Sequence, residues 1–418
     1  MSQPLPGFRE CYPEEMARRC VLLDAWRRTA RASAFEEYDG PTLEPLDLYA
    51  KKNAGGEEIL GQLYQFEDGG GRRVALRPEL TPTLARMAGA REKHYRKPMR
   101  WFSIGSFFRY ERQQRGRLRE FLQLNCDLLG EEGPGADAEI VALAANCLLA
   151  CGLRQEDFIV RLSHRGAWKT FLEGRGLDPT QCTQTLAIVD KIGRESEENL
   201  ATKLAAASSG KLGISDIQAF RGGPTPDELG PVLADLAARG LSGCVQVDLS
   251  IVRGLAYYTG IVFEIFDRAG RLRALAGGGR YDGLLAALGG ADLPAVGFGI
   301  GDVVVSELLT ETPHAAATLE AGAARLRSCD VYVVVADETR RHKALALVST
   351  LRQQGFTVDF ALSPAKVGRQ FQAAERAGAR QAVVVGSEWP EVAIKELASR
   401  QEERLSHEAL AGWLRTRQ

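Results

Sequence analysis

Residues 101–130, WFSIGSFFRYERQQRGRLREFLQLNCDLLG, constrain the fold more than any other part of this chain. In the second half of the stretch, Leu122, Leu124, Cys126 and Leu128 alternate with Phe121, Gln123, Asn125 and Asp127. A period of two puts successive side chains on opposite faces of a strand, so one face is core and the other polar. The preceding text gives a partner strand in which Ser103 and Gly105 share a face with Arg109 and Glu111, and the small residues there leave room for a ligand. The loop at 112–120 holds Arg112, Arg115, Arg117 and Arg119. Guanidiniums at that density suit polyphosphate, because each can bind oxygens bidentately. The same text also fits a solvated hairpin with surface arginines.

Three shorter stretches have a comparable character. In LRPELTP at 76–82, Glu79 and Thr81 stand at a strand-to-helix junction, and Thr81 also reads as a helix cap followed by proline. In LSIVRGLAYYTGIVFE at 249–264, Arg253, Tyr257 and Tyr258 read as part of a strand, with cross-strand aromatic packing as the plainer interpretation. In AGGGRYDGL at 276–284, a triple glycine permits close backbone approach, and no G-K-[ST] follows to make a P-loop.

Around these stretches the periodicity predicts a helix over 13–34, a hairpin over 62–77 turning at Gly69–Gly71, and a helix over 137–152. A polar, mostly helical segment over 165–243 has the look of an insertion. Strand signals return at 245–264 and 271–280, and 310–328 reads as a connecting helix. From 329 to 418 the pattern changes to strands at 331–335, 356–361 and 381–385 alternating with helices, which implies a small parallel-type α/β domain. The first 300 residues lack that alternation and suggest an antiparallel sheet with helices.

The formal charge of the 418 residues is -1, so any RNA partner must be held by local basic patches and not by bulk charge. The eight cysteines form no C-x-x-C pair and read as reduced core residues, and the five histidines form no H-E-x-x-H pattern. No protein cage for a metal is therefore expected. The chain has no apolar run of 18 residues and no apolar segment of signal-peptide type near its start, so a cytoplasmic protein without membrane contact is expected.

Taken together, in order and separation, these stretches resemble histidyl-tRNA synthetases, members of class II of the aminoacyl-tRNA synthetases. The resemblance is especially close to the form found in plant organelles and some bacteria. R-G-L-x-Y-Y-T-G and G-G-G-R-Y-D are the most specific elements, and the resemblance runs from PGFRECYPEEM at 6–16 into the last α/β domain. It implies an α+β fold: a class II catalytic domain over 1–320, built on a six- to seven-stranded antiparallel sheet with the helical insertion at 165–243, then an α/β anticodon-binding domain over 329–418. It also implies ligation of L-histidine to histidine tRNA through a histidyl-adenylate, with ATP and Mg²⁺, by a homodimer whose interface includes residues 15–45 and Pro41.

By the same resemblance, Glu79, Thr81 and Gln123 meet the α-amino group of histidine. Asp127, Tyr257 and Tyr258 read its imidazole. Arg109 holds the amino acid carboxylate and the α-phosphate, and Arg253 is the catalytic arginine at that phosphate. Glu111 meets adenine, Arg117 reaches the terminal phosphates, and Gln114 approaches the tRNA acceptor end. Lys366, Arg369, Arg376 and Arg380 are candidates for RNA phosphates.

The chain departs from the pattern at three places. Val304, in GFGIGDVVVSELL at 297–309, stands where motif 3 usually carries an arginine over the adenine; Ala256 replaces an aspartate; Leu122 replaces an aromatic residue or histidine. The alternative to a ligase is a non-catalytic paralogue, such as the synthetase-like regulatory subunit of ATP phosphoribosyltransferase or a tRNA- or histidine-sensing module. The presence of the last domain and of Arg253 favours the ligase.

Overall fold

The computed structural model describes residues 3–50, 60–112, 114–192, 195–253, 257–288 and 290–417. The chain forms two compact units, residues 1–11 with 19–319, and residues 12–18 with 320–418.

The strands of the first unit are β1 (Glu36–Glu37), β2 (Leu43–Pro45), β3 (Gln65–Glu67), β4 (Arg73–Leu76), β5 (Met99–Phe108), β6 (Glu120–Leu129), β7 (Phe158–His164), β8 (Val245–Val247), β9 (Ile261–Asp267), β10 (Ala276–Arg280) and β11 (Ala295–Gly301). Eight of them make one sheet in the order β1-β5-β6-β11-β10-β9-β7-β8. Its six central strands run antiparallel to their neighbours, and only the short edge strands β1 and β8 pair in parallel. The class II architecture is therefore as expected, with one or two more strands than the resemblance implied. β2, β4 and β3 form a separate three-stranded sheet, and the β3–β4 hairpin turns at Gly71, whose φ of 76° only glycine adopts without strain.

Leu124, Cys126 and Leu128 point into the main core, where they meet Ile140, Ala144 and Leu148 of the helix Pro134–Leu149. The hairpin reading of β5 and β6 thus holds, with Phe102 opposite Cys126 and Ser103 opposite Asn125. The segment 165–243 is helical, as expected, but it is not one insertion. Trp168, Leu172, Leu186, Leu204 and Ile217 make their own apolar cluster, whereas Val232, Leu236 and Leu241 belong to the main core.

The second unit carries a five-stranded sheet from β12 (Val331–Val335), β13 (Val358–Phe360), β14 (Gln381–Val385), β15 (Glu391–Glu396) and β16 (Glu402–Ser406), in the order β13-β12-β14-β15-β16. β13, β12 and β14 are parallel, as the parallel-type reading expected; β15 and β16, which that reading did not include, extend the sheet as an antiparallel hairpin. Gln370, on the helix Val367–Arg376, exchanges two 2.8 Å hydrogen bonds with the backbone of Val335 and so fixes that helix at the end of β12. Among the described residues, no helix is long and apolar enough to cross a membrane.

Arg280 secures the end of β10. Its Nε donates to Asp137 Oδ1 at 2.9 Å, Nη1 donates to the Glu131 carbonyl at 3.0 Å, and Nη2 to the Gly133 carbonyl at 3.3 Å. Burial pushes the Asp137 carboxyl up to about 6, against the pull of this guanidinium. Arg280→Ala leaves a buried carboxylate and two carbonyls without their donor, so it should cost about 3–5 kcal/mol of stability. A urea midpoint close to wild type would show that the pair is dispensable.

Candidate active site

The polar face of β6 looks over a floor of glycine. Asp127 lies opposite Gly297 and Asn125 opposite Gly299 on β11; Gly299 and Gly297 in turn face Gly277 and Gly279 on β10. A Cβ at Gly297 would overlap the Asp127 carboxylate, and one at Gly277 would overlap the Arg253 guanidinium. One at Gly279 would come within 2.9 Å of the Tyr258 ring. The absent side chains are what lets charged and aromatic groups lie flat on the middle of the sheet.

Above this floor is a cavity of about 260 Å³. Glu79, Thr81, Arg109, Glu111, Arg117, Gln123, Asp127, Arg253, Tyr257 and Tyr258 all line it, brought from the start of the helix Thr81–Arg91, the β5–β6 hairpin and the β8–β9 connection. Gln114 does not. It sits exposed on the turn, its carbonyl accepting the Arg117 N–H at 3.0 Å.

Several local expectations change. Arg253, Tyr257 and Tyr258 occupy the loop before β9 and are not within a strand; Gly254, Leu255 and Ala256 lie outside the described residues. Arg253 has φ 50°, and its half-buried guanidinium donates to the Phe263 carbonyl at 3.3 Å and lies 5.4 Å from the centre of the Tyr258 ring. Thr81 caps nothing: the helix begins at Thr81 itself, with Leu80 in the cap position. The room beside Gly105 is not for a ligand, because Arg77 Nη2 fills it.

Of the four loop arginines only Arg117 reaches the cavity, where it is ion-paired with Glu111. Arg115 is drawn to Glu307 and Glu311, Arg119 packs 4.2 Å over the Tyr110 ring, and Arg112 is exposed. Opposite charges and aromatic faces nearby outcompete a shared polyphosphate cluster. Arg109 donates from Nε to the Pro78 carbonyl at 2.9 Å and lies over Phe121.

Two buried carboxylates set the electrostatics. Burial pushes Asp127 up to about 7, opposed by the Tyr281 hydroxyl, which donates to its Oδ1 at 2.5 Å. Burial likewise pushes Glu79 up to about 7, opposed by Arg109 and the Tyr257 hydroxyl. Among the described residues, Glu79 Oε1 and Asn125 Nδ2 have no hydrogen-bond partner, so the site offers a buried acceptor and a buried donor. Tyr281, Asn125, Glu264 and Arg273 also line the cavity without having been assigned from sequence. Tyr281 had a signal, since it follows Arg280 in the R-Y-D motif, and Asn125 shares the polar face of β6.

Residues 7–301 match the family described as histidyl-tRNA synthetase, and residues 330–417 match the anticodon binding domain. The chain belongs to the histidyl-tRNA synthetase family. Within that family it is similar to a histidine–tRNA ligase of Opitutus terrae, 45% identical over 92% of this chain and 90% of that protein. It is also similar to the chloroplastic/mitochondrial histidine–tRNA ligase of Arabidopsis thaliana, 38% identical over 95% of this chain and 83% of that one. The fold matches the crystal structure of a histidyl-tRNA synthetase from Nostoc sp. PCC 7120 with a TM-score of 0.77 at 23% identity, covering 100% of this chain and 99% of that one. As a histidyl-tRNA synthetase family member, the chain has ATP-dependent chemistry to account for, and the cavity holds guanidiniums and carboxylates in one place.

Gly277→Ala tests the floor. Its methyl group would displace the Arg253 guanidinium without opening a cavity, so histidine-dependent pyrophosphate exchange should fall at least about tenfold. The thermal midpoint should stay near wild type. Full exchange activity in this variant would mean that Arg253 has no fixed place.

Proposed function

We propose that the chain activates L-histidine with ATP to histidyl-adenylate and transfers the histidyl group to histidine tRNA. The observation that carries this reading is the convergence of Asp127, Tyr258, Arg109 and Arg253 on one cavity, in a chain of this family. The relatives' ligase names over most of the chain weigh the same way, and a regulatory-subunit role is not favoured.

In this reading the cationic α-ammonium needs acceptors, and Glu79, Thr81 and Gln123 supply them. Asp127, oriented by Tyr281, takes an imidazole N–H, and Tyr257 and Tyr258 border the ring. A site built to hold that N–H rejects amino acids without one. Arg109 holds the substrate carboxylate beside the α-phosphate.

A carboxylate oxygen of histidine attacks the α-phosphorus in line, the bond to the bridging oxygen breaks, and pyrophosphate leaves. Arg253 stabilises the charge that gathers on the α-phosphate. The terminal ribose hydroxyl of the tRNA then attacks the adenylate carbonyl, and AMP leaves. Glu111 meets the adenine and Arg117 the terminal phosphates. Because these two are ion-paired, the triphosphate competes with Glu111 for Arg117. Glu111 and Glu264, which line the same cavity, would offer hard oxygen donors to a Mg²⁺ bound with the phosphates, and that ion would supply neutralisation of part of their charge.

Gln114, exposed on its turn, faces the tRNA acceptor end. The division of labour runs between 1–320 for chemistry and 329–418 for the anticodon. There, Lys366, Arg369 and Arg376 are exposed, whereas Arg380 is ion-paired with Asp330 and contributes less. A homodimer through residues 15–45, in the reducing cytoplasm, completes the reading, and the eight unpaired cysteines fit that compartment.

Histidine-dependent exchange of pyrophosphate into ATP is the deciding measurement. Binding of histidine without exchange would replace the ligase by the regulatory subunit. Arg253→Ala should slow adenylate formation by about 100-fold or more while histidine affinity persists; an unchanged rate would remove its role.

The carboxylates also give a pH profile. Asp127 and Glu79 titrate at about 7, above the usual carboxylate range, so they are protonated below that pH and accept from the ammonium and imidazole only above it. kcat/KM for histidine should therefore rise from pH 6 to pH 8. A flat profile would mean that neither carboxylate ionises on the path to binding.

A further inference from the structure

Arg253 and the two tyrosines sit on the connection that precedes β9, and one residue that does not line the cavity touches that connection at both ends. Arg165 opens the helix Arg165–Gly174. Its backbone N–H donates to the Gly260 carbonyl at 2.8 Å, and its guanidinium donates from Nη1 to the Arg253 carbonyl at 3.3 Å. The first bond continues the ladder in which His164 of β7 faces Ile261 of β9. The second reaches a residue whose φ of 50° is strained for any side chain larger than that of glycine.

The rest of the helix holds the start of the same connection. Trp168, one turn further on, is fully buried and donates from Nε1 to the Leu249 carbonyl at 2.9 Å. Leu249 and Val252 belong to the apolar cluster of Trp168, Leu172, Leu186 and Leu204, whereas Ile251 packs in a different cluster with Tyr258 and Tyr281. Apolar side chains thus fix the chain as far as Val252, and Arg165 takes over at Arg253. Arg165 is half-buried; burial lowers its pKa, and Tyr258 and Asp190 nearby favour the charged form. A charged donor makes a stronger hydrogen bond than a neutral one. Here it anchors backbone, so it fixes where the Arg253 side chain begins.

We infer that Arg165 is a positioning residue for Arg253: by holding the Arg253 and Gly260 carbonyls it sets the left-handed backbone from which the Arg253 guanidinium reaches the cavity. The inference rests on the reading of Arg253 as the arginine at the α-phosphate. It makes the helix Arg165–Gly174 part of the catalytic framework, although that helix contributes no wall to the cavity.

The test is a cycle of wild type, Arg165→Ala, Arg253→Ala and Arg165→Ala/Arg253→Ala, with Arg165→Lys as the conservative variant, in histidine-dependent pyrophosphate exchange. Arg165→Ala should lower kcat about tenfold and leave KM for histidine within about twofold, because a displaced Arg253 costs stabilisation of the transition state. Lysine can still reach a carbonyl with one charged donor, so Arg165→Lys should recover at least about threefold. In the double variant the Arg165 change should cost less than about twofold beyond Arg253→Ala alone, since it acts through a side chain already removed. A wild-type kcat in Arg165→Ala overturns the inference, as do independent, multiplying losses in the double variant. Loss of histidine affinity together with a fallen thermal midpoint, without rescue by lysine, overturns it in favour of a purely structural role. Amide hydrogen exchange between residues 249 and 260 reads the hold without catalysis: Arg165→Ala should quicken it at least about fivefold while the helix Arg165–Gly174 stays protected. Unchanged amide rates overturn the inference. A wild type without pyrophosphate exchange would sink the ligase reading, and the amide comparison would still decide whether Arg165 holds the Arg253 backbone.

Discussion

The site depends on the absence of side chains from the middle of a sheet. A strand interior with glycine at alternate positions is weak in itself, for entropy and for lack of packing. β10 and β11 tolerate it because they are central strands, paired on both edges and backed by the helix Pro134–Leu149. The side chains that fill the space, Asp127, Gln123, Tyr258 and Arg253, come from other segments, and each lies where a Cβ would otherwise be. The glycines thus convert a core sheet into a floor for polar groups, and Arg280, bound to Asp137 at the end of β10, holds that floor in register.

A floor of this kind also explains the unusual carboxylates. Asp127 and Glu79 are buried deeply enough that neutral and charged forms are close in free energy near pH 7. On the ligase reading, an incoming ammonium and an imidazole N–H supply the missing compensation, and the same desolvation that raises the carboxyls makes a mismatched substrate costly. Tyr281 reduces the penalty at Asp127 without satisfying both of its oxygens, so the carboxylate is oriented but not saturated.

Strong local periodicity was legible in the sequence. The alternation along 121–128 gave the two faces and the core residues of β6, because a period of two leaves Leu124 and Asp127 no choice of side. What escaped was set by tertiary competition. Thr81 has the composition of a cap, yet the helix starts one residue earlier in role, and its hydroxyl belongs to the cavity wall. Four arginines in one loop look alike in a string, but Glu307, Glu311 and Tyr110 claim two of them, and nothing local announces those partners. The segment carrying Arg253 and the tyrosines has strand composition and lies in a loop, because Arg253 in the left-handed region cannot continue a ladder. Arg273 was invisible because a single arginine in a connection has no period to betray it.

The charge balance of the whole chain, near zero, is consistent with this division of the molecule into local fields. On the ligase reading, a triphosphate is recognised where guanidiniums are held by backbone carbonyls or by aromatic faces, since such anchors fix a cation without neutralising it. Arg109 on the Pro78 carbonyl and Arg253 on the Phe263 carbonyl are of that type. Arg117 is not, because Glu111 cancels most of its field until something more anionic arrives. The same distinction separates the exposed Arg369 and Arg376 from Arg380, whose charge is spent on Asp330. For this chain, then, the number of basic residues says little about where anions bind. The nature of each cation's existing partner says more, because a carboxylate cancels a guanidinium's charge and a carbonyl does not.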